Sequence, residues 1–302
     1  MHPLELRRRR ELRIAGYTDH EIRQRLRTGV LSAVRPGTYL PGAPPDDAVA
    51  RHALAARAAH RDLADAAVFS HVTAAVLHGW PIWGIDLARV HVTRSRSGGG
   101  RCGRRVHVHA VPLRPDEIVL VEGLPVTGPA RTLADLGRQE PFEQAVAVAD
   151  AALRAGQVTP EELAEAVGRA GRRPGAPAAR RALRFADGRS ESVGESRSRV
   201  AMLRAGLPVP VLQWPVHDAH GRLLGRTDFG WPSLRTAGEF DGRIKYGRLL
   251  RPGQTAADAV LAEKQREDAI RAEDLAVVRW TWADLADFTP IADRLRRRFR
   301  PA

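Results

Sequence analysis

Gly225 to Lys245, GRTDFGWPSLRTAGEFDGRIK, constrains this chain more than any other stretch. Two β-prone arms flank a turn: Arg226 to Phe229, then Trp231-Pro232-Ser233, then Thr236 to Phe240. Arms this close in sequence predict an antiparallel hairpin. Asp228 ends the first arm, and Glu239 and Asp241 stand two apart on the second. The alternation of a strand turns those two the same way. Carboxylates gathered near one sheet edge either raise one another's pKa or recruit a cation. Oxygen ligands with spare positions suit Mg²⁺ or Mn²⁺.

Two further pieces flank the hairpin. Upstream, Glu195 opens the amphipathic run ESRSRVAMLRAGL, with Val200, Leu203 and Leu207 at helical spacing. Downstream, Ala256 to Glu273 reads as a helix carrying Lys264, Arg266 and Asp268, and Leu275 to Trp282 as an apolar strand. The predicted order is helix, strand, strand, helix, strand, with a carboxylate on each of the first three. Glu195-Ser196, Thr227-Asp228, Glu239-Phe240-Asp241-Gly242, the run Lys264 to Asp268 and Val277-Val278-Arg279-Trp280 together resemble the PD-(D/E)XK nuclease superfamily, in its very-short-patch-repair-like actinobacterial branch.

The resemblance implies a restriction-endonuclease-like α/β domain over residues 190–302 that hydrolyses DNA phosphodiester bonds. By it, Asp228 and Glu239 are metal ligands for Mg²⁺ or Mn²⁺, and Glu195 is a supporting acid. Asp241 becomes a third ligand or holds a metal-bound water. Lys264 or Lys245 steadies the attacking hydroxide or the transition state, and Arg226, Arg243 and Arg248 hold phosphates. In one place the chain departs from the superfamily: its signature lysine falls two residues after the Glu, where this chain has Asp241. Either a lysine reaches in from elsewhere, or the domain binds DNA without cutting it. Only two of the 48 basic residues are lysines, Lys245 and Lys264, and both fall in this region. Arg cannot replace an ammonium group as a compact point charge.

With 48 Lys plus Arg against 35 Asp plus Glu, the net charge is +13, which points to a polyanion partner, DNA first. A length of 302 residues allows two or three domains, and 43% hydrophobic content excludes wholesale disorder. Cys102 is the one cysteine, so no internal disulfide is expected. No apolar run approaches the roughly 20 residues needed to span a bilayer. The arginine-rich start has no apolar segment behind it and does not read as a signal peptide. These features predict a cytoplasmic protein without a membrane partner. They leave its oligomeric state open.

Residues 1–42 read as a winged helix. Leu4 to Ile14 is a first helix. Thr18-Asp19-His20-Glu21 is a capping box that starts a second, Asp19 to Arg27. That helix puts His20, Arg23, Gln24 and Arg27 on one face, with Ile22 and Leu26 on the other. Residues 31–40, LSAVRPGTYL, form a hairpin about Pro36-Gly37 and carry Arg35. Arg and Gln are side chains that read guanine and adenine edges in a major groove. The plain alternative is a surface helix with solvated arginines.

Gly37-Thr38-Tyr39 and the helical region after it resemble AbiEi-type antitoxins of type IV toxin–antitoxin systems. So do residues 70–84, SHVTAAVLHGWPIWG, and RTLADL at 131–136. That resemblance implies a winged helix on the operon's own promoter and a cognate toxin as partner.

After a Pro-rich joint at 41–47, residues 48–170 read as an α+β middle region. Ala48 to Ala66 is a helix, and Ser70 caps the next. Strands follow at Arg89 to Thr93, Arg105 to His109, Ile118 to Val121 and Leu124 to Thr127. Helices follow at residues 130–138 with Leu133 and Leu136 inward, at Phe142 to Leu153 and at Thr159 to Arg169. Arg94 to Arg105 is a basic loop. His107 and His109 alternate on one strand, but with His91 and the lone Cys102 they lack the paired spacing of zinc sites, and no metal is expected there. His71 and His78 read as packing residues. Residues 171–189 are a linker with a short helix, Ala178 to Phe185. The whole predicts a multidomain α+β and α/β protein that binds DNA. It either cleaves DNA with Mg²⁺, or carries an inactive nuclease fold in an antitoxin-like regulator.

Overall fold

Local capping signals set where several helices begin, and the sheets then decide which residues those helices cover. The computed structural model describes residues 5–63, 66–96, 98–242 and 273–299. They divide into two units: residues 1–148 with 156–185, and residues 149–155 with 186–302. The predicted helix Ala256 to Glu273 lies, but for Glu273, outside the described residues. So do Arg243, Lys245, Arg248 and Lys264.

The first unit opens with β1 (Arg7–Arg8), α1 (Arg9–Ile14), α2 (Asp19–Arg27), β2 (Leu31–Arg35) and β3 (Thr38–Pro41). The Thr18 hydroxyl accepts from the Glu21 amide at 3.2 Å, and the Glu21 carboxylate accepts from the Thr18 amide at 2.7 Å. This is the capping box read from sequence. The expected helix from Leu4 to Ile14 is corrected: it begins only at Arg9. Arg7 and Arg8 are extended because they pair with the free edge of β3, opposite Tyr39 and Thr38. Leu12, Ile22, Leu31 and Tyr39 form a small core. Leu6 and Leu40 pack on Leu54 and Ala58 of α3 (Ala48–His60).

A six-stranded sheet follows, in the order β6-β7-β5-β4-β9-β8. Its strands are β4 (Ala67–Phe69), β5 (Val90–Arg94), β6 (Arg101–Cys102), β7 (Val106–Ala110), β8 (Ile118–Val121) and β9 (Leu124–Thr127). The pairs β5–β7 and β4–β9 are parallel. The helix expected to Ala66 ends at His60. Ala67, Val68 and Phe69 instead form a buried central strand between β5 and β9, where sheet pairing overrides alanine's helix preference. Within the basic stretch 94–105, Arg101 and Cys102 pair back onto β7. Phe69, Val92 and Val126 of this sheet bury against Ala56 and Ala59 of α3 and Ala74 of α4 (His71–Leu77).

Four helices complete the sequence of this region: α5 (Pro129–Gln139), α6 (Phe142–Arg154), α7 (Pro160–Ala170) and α8 (Ala176–Phe185). Leu133 and Leu136 face inward as expected. The short helix expected from Ala178 begins at Ala176, because Ala176 and Ala179 are buried. A Cβ at Gly137 of α5 would lie 3.0 Å from the Ala179 Cα, so the two backbones meet with no side chain between them.

The second unit consists of α9 (Val193–Arg204), β10 (Val211–His217), β11 (Leu223–Trp231), β12 (Thr236–Asp241), β13 (Ala276–Thr281) and α10 (Thr289–Arg298), with the last turn of α6. The sheet order is β10-β11-β12-β13; β10, β11 and β12 run antiparallel in turn, and β13 lies parallel to β12. β10 is not anticipated by the pattern, since Pro215 weakens its claim to be a strand; an edge position tolerates that proline. The predicted hairpin is present, with a single helical turn at Pro232–Leu234 between its arms. Phe229, Trp231, Phe240, Val278 and Trp280 form one buried face with Met202, Ile291 and Leu295. Trp280 donates to the Ser198 hydroxyl at 2.7 Å and Trp231 to the Pro208 carbonyl at 2.8 Å, which satisfies both buried indoles.

Helix α9 lies against β12 through Gly194, where a Cβ would fall 1.9 Å from Phe240 Cε1. Gly194→Ala is therefore expected to push α9 off the sheet and to cost about 1–3 kcal/mol or more. Urea unfolding of the variant beside the natural chain measures it. An unchanged midpoint would show that Phe240 can turn aside.

Candidate nucleic-acid interface and acidic centre

Helix α2 buries Ile22 and leaves His20, Arg23, Gln24 and Arg27 exposed. The amphipathic split expected from sequence is thus present, and four side chains able to hydrogen-bond stand clear of the core. Arg35, grouped with them from sequence, is placed elsewhere. Its guanidinium donates to the Ala58 carbonyl at 3.4 Å and lies 3.5 Å from Asp62, at the end of α3. A half-buried arginine so engaged braces the hairpin. Arg226 is exposed, but both its terminal nitrogens lie 2.9 Å from Glu191.

In the second unit Asp228 and Glu239 fall where the β11–β12 pairing ends. The ladder runs from Trp231–Thr236 to Phe229–Gly238. Beyond it, the Asp228 carboxylate accepts from the Phe240 amide at 2.8 Å, in place of a strand carbonyl. Glu239 and Asp241 are both half-buried and alternate with buried Phe240, so they share a face as predicted. Parallel pairing sets Arg279 beside Glu239, and its Nε and Nη2 both lie 2.8 Å from Glu239 Oε2. This ion pair follows from tertiary register and was not read from sequence. Trp282, exposed, meets Phe240 edge-on, with ring centroids 5.2 Å apart.

Glu195 is buried on the first turn of α9. Its carboxylate accepts from the Ser192 hydroxyl, the Glu191 amide and Gln213 Nε2, each at 2.8 Å. Burial pushes its pKa up, and the charge of Asp228 adds to that; the bonds from Glu191 and Ser192 work against it. Two of the predicted acids, Glu195 and Asp228, are therefore electrostatic neighbours, while Glu239 is matched by an arginine. Oxygen donors alone make up this set, but among the described residues no three of its carboxylates offer donor atoms within 4.8 Å of one another. An ion there would compete with Arg279 for Glu239.

A different cluster lies in the first unit, where sequence spacing gave no reason to expect one. Among the described residues, His71, His91 and His109 are the group of potential metal ligands whose donor atoms lie within 4.8 Å of one another. Their three elements are separate in sequence, which is why spacing was no guide.

Because folding raises the pKa of Glu195, the folded state holds its proton to higher pH than the unfolded chain does. This contribution favours folding at acid pH and is lost as pH rises from the ordinary carboxylate range through the raised folded value. Glu195→Gln removes the titration. Urea midpoints of variant and natural chain should diverge in the variant's favour as pH is taken from 4 to 7; parallel curves would refute the reading.

Comparison with known proteins bears on the first unit. The profile of the family described as AbiEi antitoxin C-terminal domain matches residues 18–184. Two uncharacterized proteins of Mycobacterium tuberculosis, Rv2248 of strain H37Rv and MT2308 of strain CDC 1551, are each 37% identical over 160 residues, 49% of this chain. The chain spans 59% of the length of these relatives. The crystal structure of the RV2827C protein of Mycobacterium tuberculosis aligns with 71% of this chain and 84% of that one, at 21% identity and a TM-score of 0.40. That likeness is too loose to carry an argument. The family match ends at residue 184, before α9, so it does not reach the acidic centre. By this match over more than half its length, the chain belongs to the AbiEi antitoxin C-terminal domain family.

Proposed function

We propose that the protein is a DNA-binding regulator of antitoxin type, with α2 as its reading helix. The observation that carries this is the exposed row His20, Arg23, Gln24 and Arg27 on a short helix followed by the β2–β3 hairpin, which is the winged-helix order. Family membership supports the antitoxin side of the reading, with a cognate toxin or the protein's own promoter as partner. The charge of +13 supports the DNA side. Arg35 supports the hairpin from behind.

Fluorescence anisotropy with DNA from upstream of the gene tests it. Arg23→Ala with Arg27→Ala should weaken binding. If the two arginines neutralise phosphates, the slope of log affinity against log salt should fall by about one unit for each arginine removed. If either reads a base, the loss should be about 1–3 kcal/mol and confined to the preferred sequence. Unchanged affinity in the double variant would remove α2 from the interface.

A second reading concerns the acidic centre: metal-dependent hydrolysis of DNA in the PD-(D/E)XK manner. The adjacency of Glu195 and Asp228, and the parallel strand β13 beside β12, support it. In it Asp228, Glu239 and Asp241 would hold Mg²⁺ or Mn²⁺. A bound ion would supply an activated water and charge neutralisation. The lysine expected two residues after Glu239 is still Asp241 here. Plasmid nicking with Mg²⁺, Mn²⁺ or EDTA decides it. Metal-dependent nicking lost in Asp228→Ala would establish the enzyme. No nicking, with DNA binding equal in both proteins, would leave binding alone.

A further inference from the structure

Strands β5 and β7 run parallel with His91 opposite His107 and Thr93 opposite His109. Alternation therefore puts His91, Thr93, His107 and His109 on one face of the sheet. Helix α4 begins over that face. Its first residue, His71, is 2% exposed and takes the left-handed φ of +53°. Such backbone is costly for a non-glycine residue and persists where surroundings enforce it. Here it places the His71 ring on His109, with centroids 3.7 Å apart. His107 stacks on His109 as well, with centroids 4.0 Å apart.

The nitrogens are arranged for more than stacking. His109 Nε2 and His91 Nδ1 lie 3.1 Å apart. Two imidazole nitrogens on one tetrahedral zinc ion stand about 3.3 Å apart. His71 Nδ1 is 2.9 Å from the Ser70 hydroxyl, which also accepts from the Thr93 hydroxyl at 2.8 Å. That bond leaves Nε2 of His71 to face an ion. A ligating histidine commonly has its other nitrogen held in this way. Burial is the main cause holding all three pKa values down, so the rings are neutral and able to coordinate near pH 7. The group contains no carboxylate and no sulfur, a composition that suits Zn²⁺ and its first-row neighbours over Mg²⁺ or Ca²⁺.

We infer that His71, His91 and His109 form a binding site for a divalent first-row transition ion, Zn²⁺ above the others, which ties α4 to β5 and β7. The donor atoms lie within 4.8 Å of one another, so binding an ion draws the His71 ring off its stack on His109, with the Ser70 hydroxyl turning to follow Nδ1. A fourth position is left for water or another ligand. The site is separate from the acidic centre and does not rest on the DNA-binding reading.

Untagged full-length protein, stripped with EDTA and dialysed, tests this with Co²⁺ and Zn²⁺ as probes. Co²⁺ should give visible d–d absorption that saturates at about one ion per chain and is displaced by Zn²⁺. Zn²⁺ at about a hundred times its Kd should raise Tm by roughly 5 °C or more. The absorption should be lost in His91→Asn and His109→Gln and kept in His220→Gln, a change at an exposed histidine, with folding followed by far-UV circular dichroism. The natural chain alone can overturn the proposal: folded protein that shows no Co²⁺ absorption and no Zn²⁺ shift makes the cluster a hydrogen-bonded packing motif. Binding that persists in folded His91→Asn or His109→Gln would place the ion elsewhere.

Discussion

The first unit depends on a buried arginine whose charge has to be met from inside. Arg131 of α5 is 6% exposed. Its Nε donates to Asp135, one turn on, at 2.7 Å, and its Nη1 to Glu117 at 2.8 Å. Asp135 is also held by Arg138 at 3.3 Å. Desolvating such a set costs about as much as its attraction returns, so it adds little net stability. Its consequence is geometric. Only one placement of α5 against the turn at Pro115–Glu117 satisfies both carboxylates, and losing either would strand a charge at about 3–5 kcal/mol. That placement in turn orders the neighbouring α4. Burial above all keeps His71 neutral, and the nearby charges of Arg131 and Arg138 act in the same direction.

The second unit solves the same problem around α9. Arg199 is nearly buried and meets Asp150 at 2.7 Å, while Asp150 also accepts from the Asp187 amide at 2.7 Å. Glu195, a turn earlier on the helix, is buried with no cation beside it among the described residues, and instead collects three hydrogen-bond donors. One acid on this helix is thus placed where ionisation is costly, beside a second acid, Asp228. A carboxyl in that state holds its proton more readily than one in water. Ion pairing serves the fold at Asp150, whereas hydrogen bonding alone holds Glu195 among the described residues, and that is the chemically distinctive feature of the unit.

Much of the local structure was legible. The capping box at Thr18 marks a real helix start because its bonds lie within four residues. The hairpin about Pro232 and the alternation of Glu239 with Phe240 follow from period and turn chemistry, which are equally local. Arg7–Arg8, β4 and β10 were not legible. Arg7–Arg8 and Ala67–Phe69 are extended only because a neighbouring strand offers its edge, and Pro215 is acceptable only because β10 is outermost. The candidate site divides in the same way. The row on α2 could be read from a helical wheel, whereas the engagement of Arg35 with Ala58 and of Arg226 with Glu191 could not.

By itself the sequence determined short-range facts: where capped helices start, which faces are apolar and where the acids alternate. These depend on spacing, which the chain carries wherever it folds. Only the tertiary structure decided which distant groups meet. Parallel pairing brings Arg279 to Glu239. A second parallel pair, with a helix start laid over it, gathers His71, His91 and His109. Hydrogen-bond register acts across tens of residues, and no spacing rule along the chain encodes it.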